Sequence, residues 1–201
     1  MEPNSEKKPT ILIVEDIIEL RNMFVWETRK CFPDYEIIGV DTLEKARDVV
    51  RSIPLKAIIT DCGFPENDQT PREHGNTCGL KLIQEIREGA LGEKNRSVII
   101  AFNSAEMDED KEKRALKFGG QTSCFKKGSI YPTIAGRNAS EHTVSNVTAR
   151  TLVWLQQEFE KEEKSLAVPE IATSSTEPPS RLDRILSRLG LRGKAGGVSR
   201  T

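Results

Sequence analysis

Thr10-Ile-Leu-Ile-Val-Glu-Asp16 decides the reading of this chain: a short, wholly apolar β-branched run that ends directly in two acids. Ile11 to Val14 has no polar alternation, so it reads as a strand buried on both faces. Runs of the same kind recur. Glu36-Ile-Ile-Gly-Val40, Ala57-Ile-Ile-Thr60, Val98-Ile-Ile-Ala-Phe102 and Ser123-Cys-Phe125 give four further strands. Between them lie stretches of helical period. Leu20, Phe24, Thr28 and Cys31 mark the first, and Leu43, Ala46, Val49, Val50 and Ile53 the second. Leu80, Ile83 and Ile86 mark the third, and a charged fourth helix is expected over about 106–118. A last helix is expected over roughly 141–164, with Val144, Val147, Thr151, Leu155 and Phe159 on one stripe. Asp41 and Glu44 have capping-box spacing at the second helix, as do Asp16 and Glu19 at the first.

Strands alternating with helices predict an α/β protein whose five-stranded parallel sheet is covered on both faces. The order expected for such a doubly wound, flavodoxin-like sheet is 2-1-3-4-5. Ligands then sit at the carboxyl ends of the strands where the order reverses, between strands 1 and 3. Glu15 and Asp16 end strand 1 and Asp61 follows strand 3, so the topology brings three carboxylates together. Crowded carboxylates need a cation, and an all-oxygen set suits a hard ion such as Mg²⁺. Lys126 follows strand 5, and Asn103 and Ser104 follow strand 4 as hydrogen-bond donors. A carboxylate, a hard metal and a lysine suit phosphoryl transfer, which chiefly needs positioning and charge neutralisation.

These residues, over nearly all of 10–165, resemble the receiver domain of two-component response regulators. Ile-Leu-Ile-Val-Glu15-Asp16 is similar to that family's first strand with its acidic pair. Ile-Ile-Thr-Asp61-Cys-Gly-Phe-Pro65 is similar to its phosphoacceptor motif, Gly79-Leu80-Lys-Leu-Ile to its third helix, and Phe118-Gly119-Gly120 with Phe125-Lys126 to its fifth strand and lysine. The resemblance implies that Asp61 accepts a phosphoryl group from a histidine kinase or phosphotransfer protein. It implies that Glu15, Asp16 and Asp61 bind Mg²⁺, that Lys126 contacts the phosphoryl group, and that the switch hydroxyl falls at Ser104, or alternatively at Asn103. Lys127 stands where the family usually has proline, and Ser123 stands three residues before Lys126, where the family has an aromatic switch residue.

The 201 residues are 36% hydrophobic and 30% charged with net charge −1, a balance that favours neither a membrane protein nor a nucleic-acid binder. The expected organisation is an N-terminal extension (1–9), a receiver domain (10–165) with polar insertions at about 66–78 and 128–140, a disordered linker (166–180) and a basic tail (181–201) with a short amphipathic helix. No apolar run is long enough to span a bilayer and no secretory signal opens the chain, so a cytoplasmic protein is expected. No DNA-binding or enzymatic output domain is expected after the receiver. The expected function is signalling to a downstream protein partner, without catalysis beyond slow loss of its own phosphoryl group. The basic tail suits another protein or an anionic surface. Two alternatives come with this reading. One is a receiver fold that binds partners without switching. The other is a redox or zinc sensor built from Cys62, His74, Cys78 and Cys124; the four cysteines, Cys31 included, otherwise read as free thiols.

Overall fold

A computed structural model describes residues 8–71, 76–105, 107–127 and 139–166, with the side chains of 139–146 and 166 left out. Expectations for His74, for most of 128–140 and for the linker and tail lie outside the described residues. Five strands, β1 (Thr10–Val14), β2 (Glu36–Val40), β3 (Ala57–Asp61), β4 (Ile99–Ser104) and β5 (Thr122–Lys126), alternate with five helices: α1 (Ile18–Cys31), α2 (Leu43–Ser52), α3 (Cys78–Arg87), α4 (Glu109–Lys117) and α5 (Ala139–Leu166). All strand pairs are parallel, in the order β2-β1-β3-β4-β5. The expected doubly wound sheet is therefore the one observed. β4 runs two residues further than the apolar run suggests, so Asn103 and Ser104 lie within the strand.

Alternation along the strands sorts the core into two layers. Leu12, Val14, Ile58, Ile100 and Phe102 pack with α2, α3 and Ala115 of α4. Ile11, Ile13, Ala57, Ile59, Ile99, Ala101 and Phe125 pack with α1 and α5 through Phe24, Leu152, Leu155 and Phe159. Each fully buried side chain of this size contributes about 1.5–3 kcal/mol. A sheet so sheathed presents its strand ends, and not its faces, to ligands. Strand alternation also governs chemistry at that edge, because residues two apart share a side of the sheet.

The helix caps differ in detail from the sequence expectation. Thr42, not Asp41, caps α2, its hydroxyl accepting from the Lys45 amide at 3.3 Å. Asp41 instead pairs with Lys45 Nζ at 2.9 Å. The carbonyls of Pro65 and Glu66 accept from the Leu43 and Glu44 amides at 3.0 and 2.9 Å. The loop after β3 thus satisfies donors that the helix leaves open. At α1 the capping position is Ile17, whose side chain makes no capping hydrogen bond, and its amide donates to Glu15 Oε1 at 3.4 Å. Asp16 therefore precedes the capping position.

Candidate functional site

At the carboxyl edge of the sheet, Glu15, Asp16 and Asp61 each offer a carboxylate oxygen, and these oxygens all lie within 4.8 Å of one another. Glu15 is 2% exposed and Asp61 6%, while Asp16 is half-buried at the rim. The cation between them is Lys127, 4% exposed. Its Nζ donates to Glu15 Oε2 at 2.6 Å and to Asp61 Oδ1 at 2.8 Å. Burial holds the Glu15 pKa above its ordinary value; Lys127 opposes that shift, and Asp61 and Asp16 add to it. Burial alone pulls Lys127 down, but the Asp61 and Glu15 carboxylates more than offset it and leave the ammonium held above its ordinary range.

Lys126, to which the sequence motif assigns the phosphoryl contact, points away: it is exposed, whereas Lys127 enters the site. The reason is alternation. Glu15 stands two residues after Ile13, Asp61 two after Ile59 and Lys127 two after Phe125, and all three apolar residues face the α1/α5 layer. Lys126 has the opposite parity. The backbone reinforces this placement, since the Lys127 amide donates to the Ser104 carbonyl at 2.8 Å and so extends β5 alongside the end of β4. The signal was present in the chain as the spacing from Phe125; the motif anchored on Phe-Lys obscured it. With Lys127 as the cation, the position three residues earlier is Cys124, not Ser123, and it too lacks an aromatic ring.

Asn103 and Ser104, being consecutive in β4, diverge to opposite faces. Ser104 lies on the α3/α4 side, hydrogen-bonded to the Cys62 thiol. Asn103 is the register partner of Asp61 and faces α5, where Thr151 Oγ1 donates to its Oδ1 at 3.3 Å. Two contacts missed in the sequence frame the site. Arg21 donates to the Glu15 carbonyl at 2.8 Å and the Asp16 carbonyl at 3.4 Å, fixing the turn that carries both acids. Gly79 brings the start of α3 against Asp61: a Cβ there would lie 2.1 Å from the Asp61 carbonyl oxygen. Only glycine permits that approach.

Among the described residues, the cysteines form no comparable centre. The Cys62 thiol is pushed up to about 11 by burial and then by the Asp61 charge, and Cys124 likewise to about 11 by burial. Cys78 is also raised by burial. Among the described residues, the group of three or more metal-capable side chains is the Glu15–Asp16–Asp61 trio.

That trio suits a hard divalent cation. The donors are all carboxylate oxygens, the preference of Mg²⁺. Three carboxylates with one lysine leave a formal charge of −2 (three minus one) in a largely buried pocket. Such an excess invites a divalent counter-ion.

No family model matches the chain, and no curated protein matches it. Its fold, however, is that of the response-regulator receiver domain. A CheY-like receiver domain protein from Methanospirillum hungatei JF-1 superposes with a TM-score of 0.55 at 12% identity, over 79% of this chain and 99% of that one. The phosphorylated cyanobacterial phytochrome response regulator RcpA gives 0.54 at 13% identity, over 75% and 96%. A response regulator receiver domain from Rhodospirillum rubrum gives 0.51 at 15% identity, over 72% and 92%. No helix among the described residues is long and apolar enough to cross a membrane.

Proposed function

We propose that this protein is the phosphoacceptor receiver of a two-component phosphorelay, taking a phosphoryl group on Asp61 and signalling through altered protein contacts. The observation that carries the reading is the convergence of Glu15, Asp16, Asp61 and Lys127 at the strand ends where the sheet order reverses. The donor is a phosphohistidine on a sensor kinase or phosphotransfer protein. An Asp61 carboxylate oxygen forms the new P–O bond while the P–N bond breaks, its electron pair returning to the imidazole.

Asp61 is the nucleophile, held rigid by its place in β3 and by the packing of Gly79 against its carbonyl. Lys127 neutralises charge on the reacting carboxylate and, by its position, on the incoming phosphoryl oxygens. The Asn103 amide lies on the same face as Asp61, as its register partner, whereas Ser104 supplies a hydroxyl on the opposite face, against the Cys62 thiol. Glu15, Asp16 and Asp61 would hold Mg²⁺, which supplies charge neutralisation when bound. The reading involves no turnover of other substrates, only slow hydrolysis of the protein's own acyl phosphate. A cytoplasmic location belongs to the same reading, since phosphorelay donors and Mg²⁺ are found there.

The test is incubation with a small phosphodonor and Mg²⁺, followed by mass spectrometry of the modified peptide. One phosphoryl group on Asp61, absent in Asp61→Asn, is expected; incorporation that survives that substitution removes the reading. A second reading, a receiver fold that binds partners without switching, has one observation in its favour: Cys124 and Ser123 provide no aromatic ring before the site lysine. Partner affinity unchanged by stoichiometric phosphorylation would select it.

A further inference from the structure

The buried face of α5 is apolar at Val147, Leu152, Leu155 and Phe159, but it carries two buried threonines one turn apart, Thr148 and Thr151. Thr151, 0% exposed, sits over the carboxyl edge of the sheet, where its hydroxyl donates to Asn103 Oδ1 at 3.3 Å. Asn103 is 1% exposed, yet its Nδ2 has no hydrogen-bond partner among the described residues. A buried amide donor left unsatisfied is a rare and costly state that marks strain, an absent group or a functional role. The neighbour across the sheet in this register is Asp61. Register partners in a parallel sheet project to the same side, and Ile59 with Ala101, two residues earlier, confirm the shared side. The orphan donor thus lies beside the carboxylate that, in the receiver reading, gains a dianionic group.

We propose that Thr151 is a positioning residue of this site: by holding the Asn103 carbonyl oxygen, it reserves the Asn103 NH₂ for an oxygen of the phosphoryl group on Asp61, and so makes α5 the element that senses phosphorylation. The inference rests on the receiver reading and adds the residues and the helix through which that reading is transmitted. In this structure the amide presents Oδ1, and not Nδ2, to the Thr151 hydroxyl. With the Thr151 hydroxyl donating to Oδ1, the amide nitrogen must take the other place, and an oxygen-rich anion is the partner that an NH₂ group satisfies. When the donor is satisfied, Asn103 stiffens and its bond to Thr151 is drawn with it. The signal then needs no ring rotation at Cys124, the position where an aromatic residue is missing.

The experiment uses the full chain with beryllofluoride and Mg²⁺ as the phosphoryl analogue, read by hydrogen exchange and by titration of the analogue. In the wild type, exchange in the α5 segment 147–159 should change by about fivefold on adding the analogue. Thr151→Val should weaken binding of the analogue by about tenfold and abolish the α5 response, as loss of an oriented charge-assisted hydrogen bond implies. Thr151→Ser, which restores the hydroxyl, should recover both. A merely structural threonine would lower the melting temperature in Thr151→Val and leave both readouts unchanged, which overturns the proposal. An unresponsive α5 in the wild type, in protein shown to be phosphorylated on Asp61, overturns it without recourse to any variant. Absence of modification on Asp61 overturns the receiver reading, and this inference with it.

Discussion

Lys127 Nζ lies 2.8 Å from Asp61 Oδ1, with both side chains shut off from solvent, and the same ammonium reaches Glu15 Oε2 at 2.6 Å. One buried cation therefore holds together two acids contributed by neighbouring strands, β1 and β3. Removing it leaves three crowded carboxylates without compensation. Lys127→Met should cost about 3 kcal/mol of stability, the usual penalty for breaking a buried pair from one side. It should also slow phosphoryl uptake by roughly a hundredfold, as for the loss of one preorganised electrostatic group. Lys126→Met should remain within about 0.5 kcal/mol of the wild type with uptake unchanged. Chemical denaturation and phosphodonor kinetics on the two variants check this, and equal effects would contradict the assignment.

The raised pKa of Glu15 sets a pH dependence. Its folded value lies above the ordinary 4.5, so the folded state retains a proton that the unfolded chain releases. Stability contributed by this group therefore falls as pH rises from about 4.5 through the folded value. Lys127 acts in a separate window: its folded pKa exceeds 10.5, and the stability it contributes is present below 10.5 and lost only as pH rises through that raised value. Glu15→Gln should flatten the acid-side slope in urea melts without metal. Mg²⁺ should bind more tightly as Glu15 deprotonates, and magnesium titrations across the same pH range measure that opposite trend. A slope unchanged in Glu15→Gln would assign it to another group.

Gly79 sets the distance between α3 and the end of β3 at Asp61. A Cβ would meet the Asp61 carbonyl oxygen at 2.1 Å and Cys62 Cα at 3.0 Å, and backbone cannot swing aside as a side chain can. Gly79→Ala should destabilise the protein by roughly 3 kcal/mol and displace Asp61 from its partners. Thermal melts and phosphodonor uptake should both show the loss. A variant with wild-type stability would mean that α3 is free to move away.

Thiol chemistry distinguishes the sensor alternative. With Cys62 and Cys124 both pushed up to about 11, little thiolate exists near neutrality. Alkylation of Cys62 near neutral pH should be slower than that of an exposed thiol by about a hundredfold or more, rising to the exposed rate only on unfolding. Rapid labelling of native Cys62, followed by peptide mapping, would reinstate a redox role.

The fold was legible because every strand announces itself: Ile11–Val14, Ala57–Thr60 and Val98–Phe102 are continuously apolar, as a sheet buried on both faces requires. Three of the site's residues followed from the same reading, since Glu15, Asp16 and Asp61 terminate strands that a doubly wound order makes neighbours. Local choices were harder. Asp41 and Thr42 are both good capping residues, and the hydrogen bond went to Thr42 because Asp41 is engaged by Lys45 and approached by Arg21. Asp16 resembles a cap in sequence, but the chain turns at Ile17, leaving its carboxylate to the site.

Taken alone, the amino-acid order determined the parallel sheet, the acidic pair and the aspartate at the end of β3, since burial and strand ends are written in runs of residue type. Tertiary structure decided which of two adjacent lysines serves them and which way Asn103 and Ser104 face. Consecutive residues in a strand project to opposite sides, so a shift of one position exchanges solvent for the site. Only the packing of Phe125 against the α1/α5 layer settles that parity, and with it the burial of Lys127 between Glu15 and Asp61.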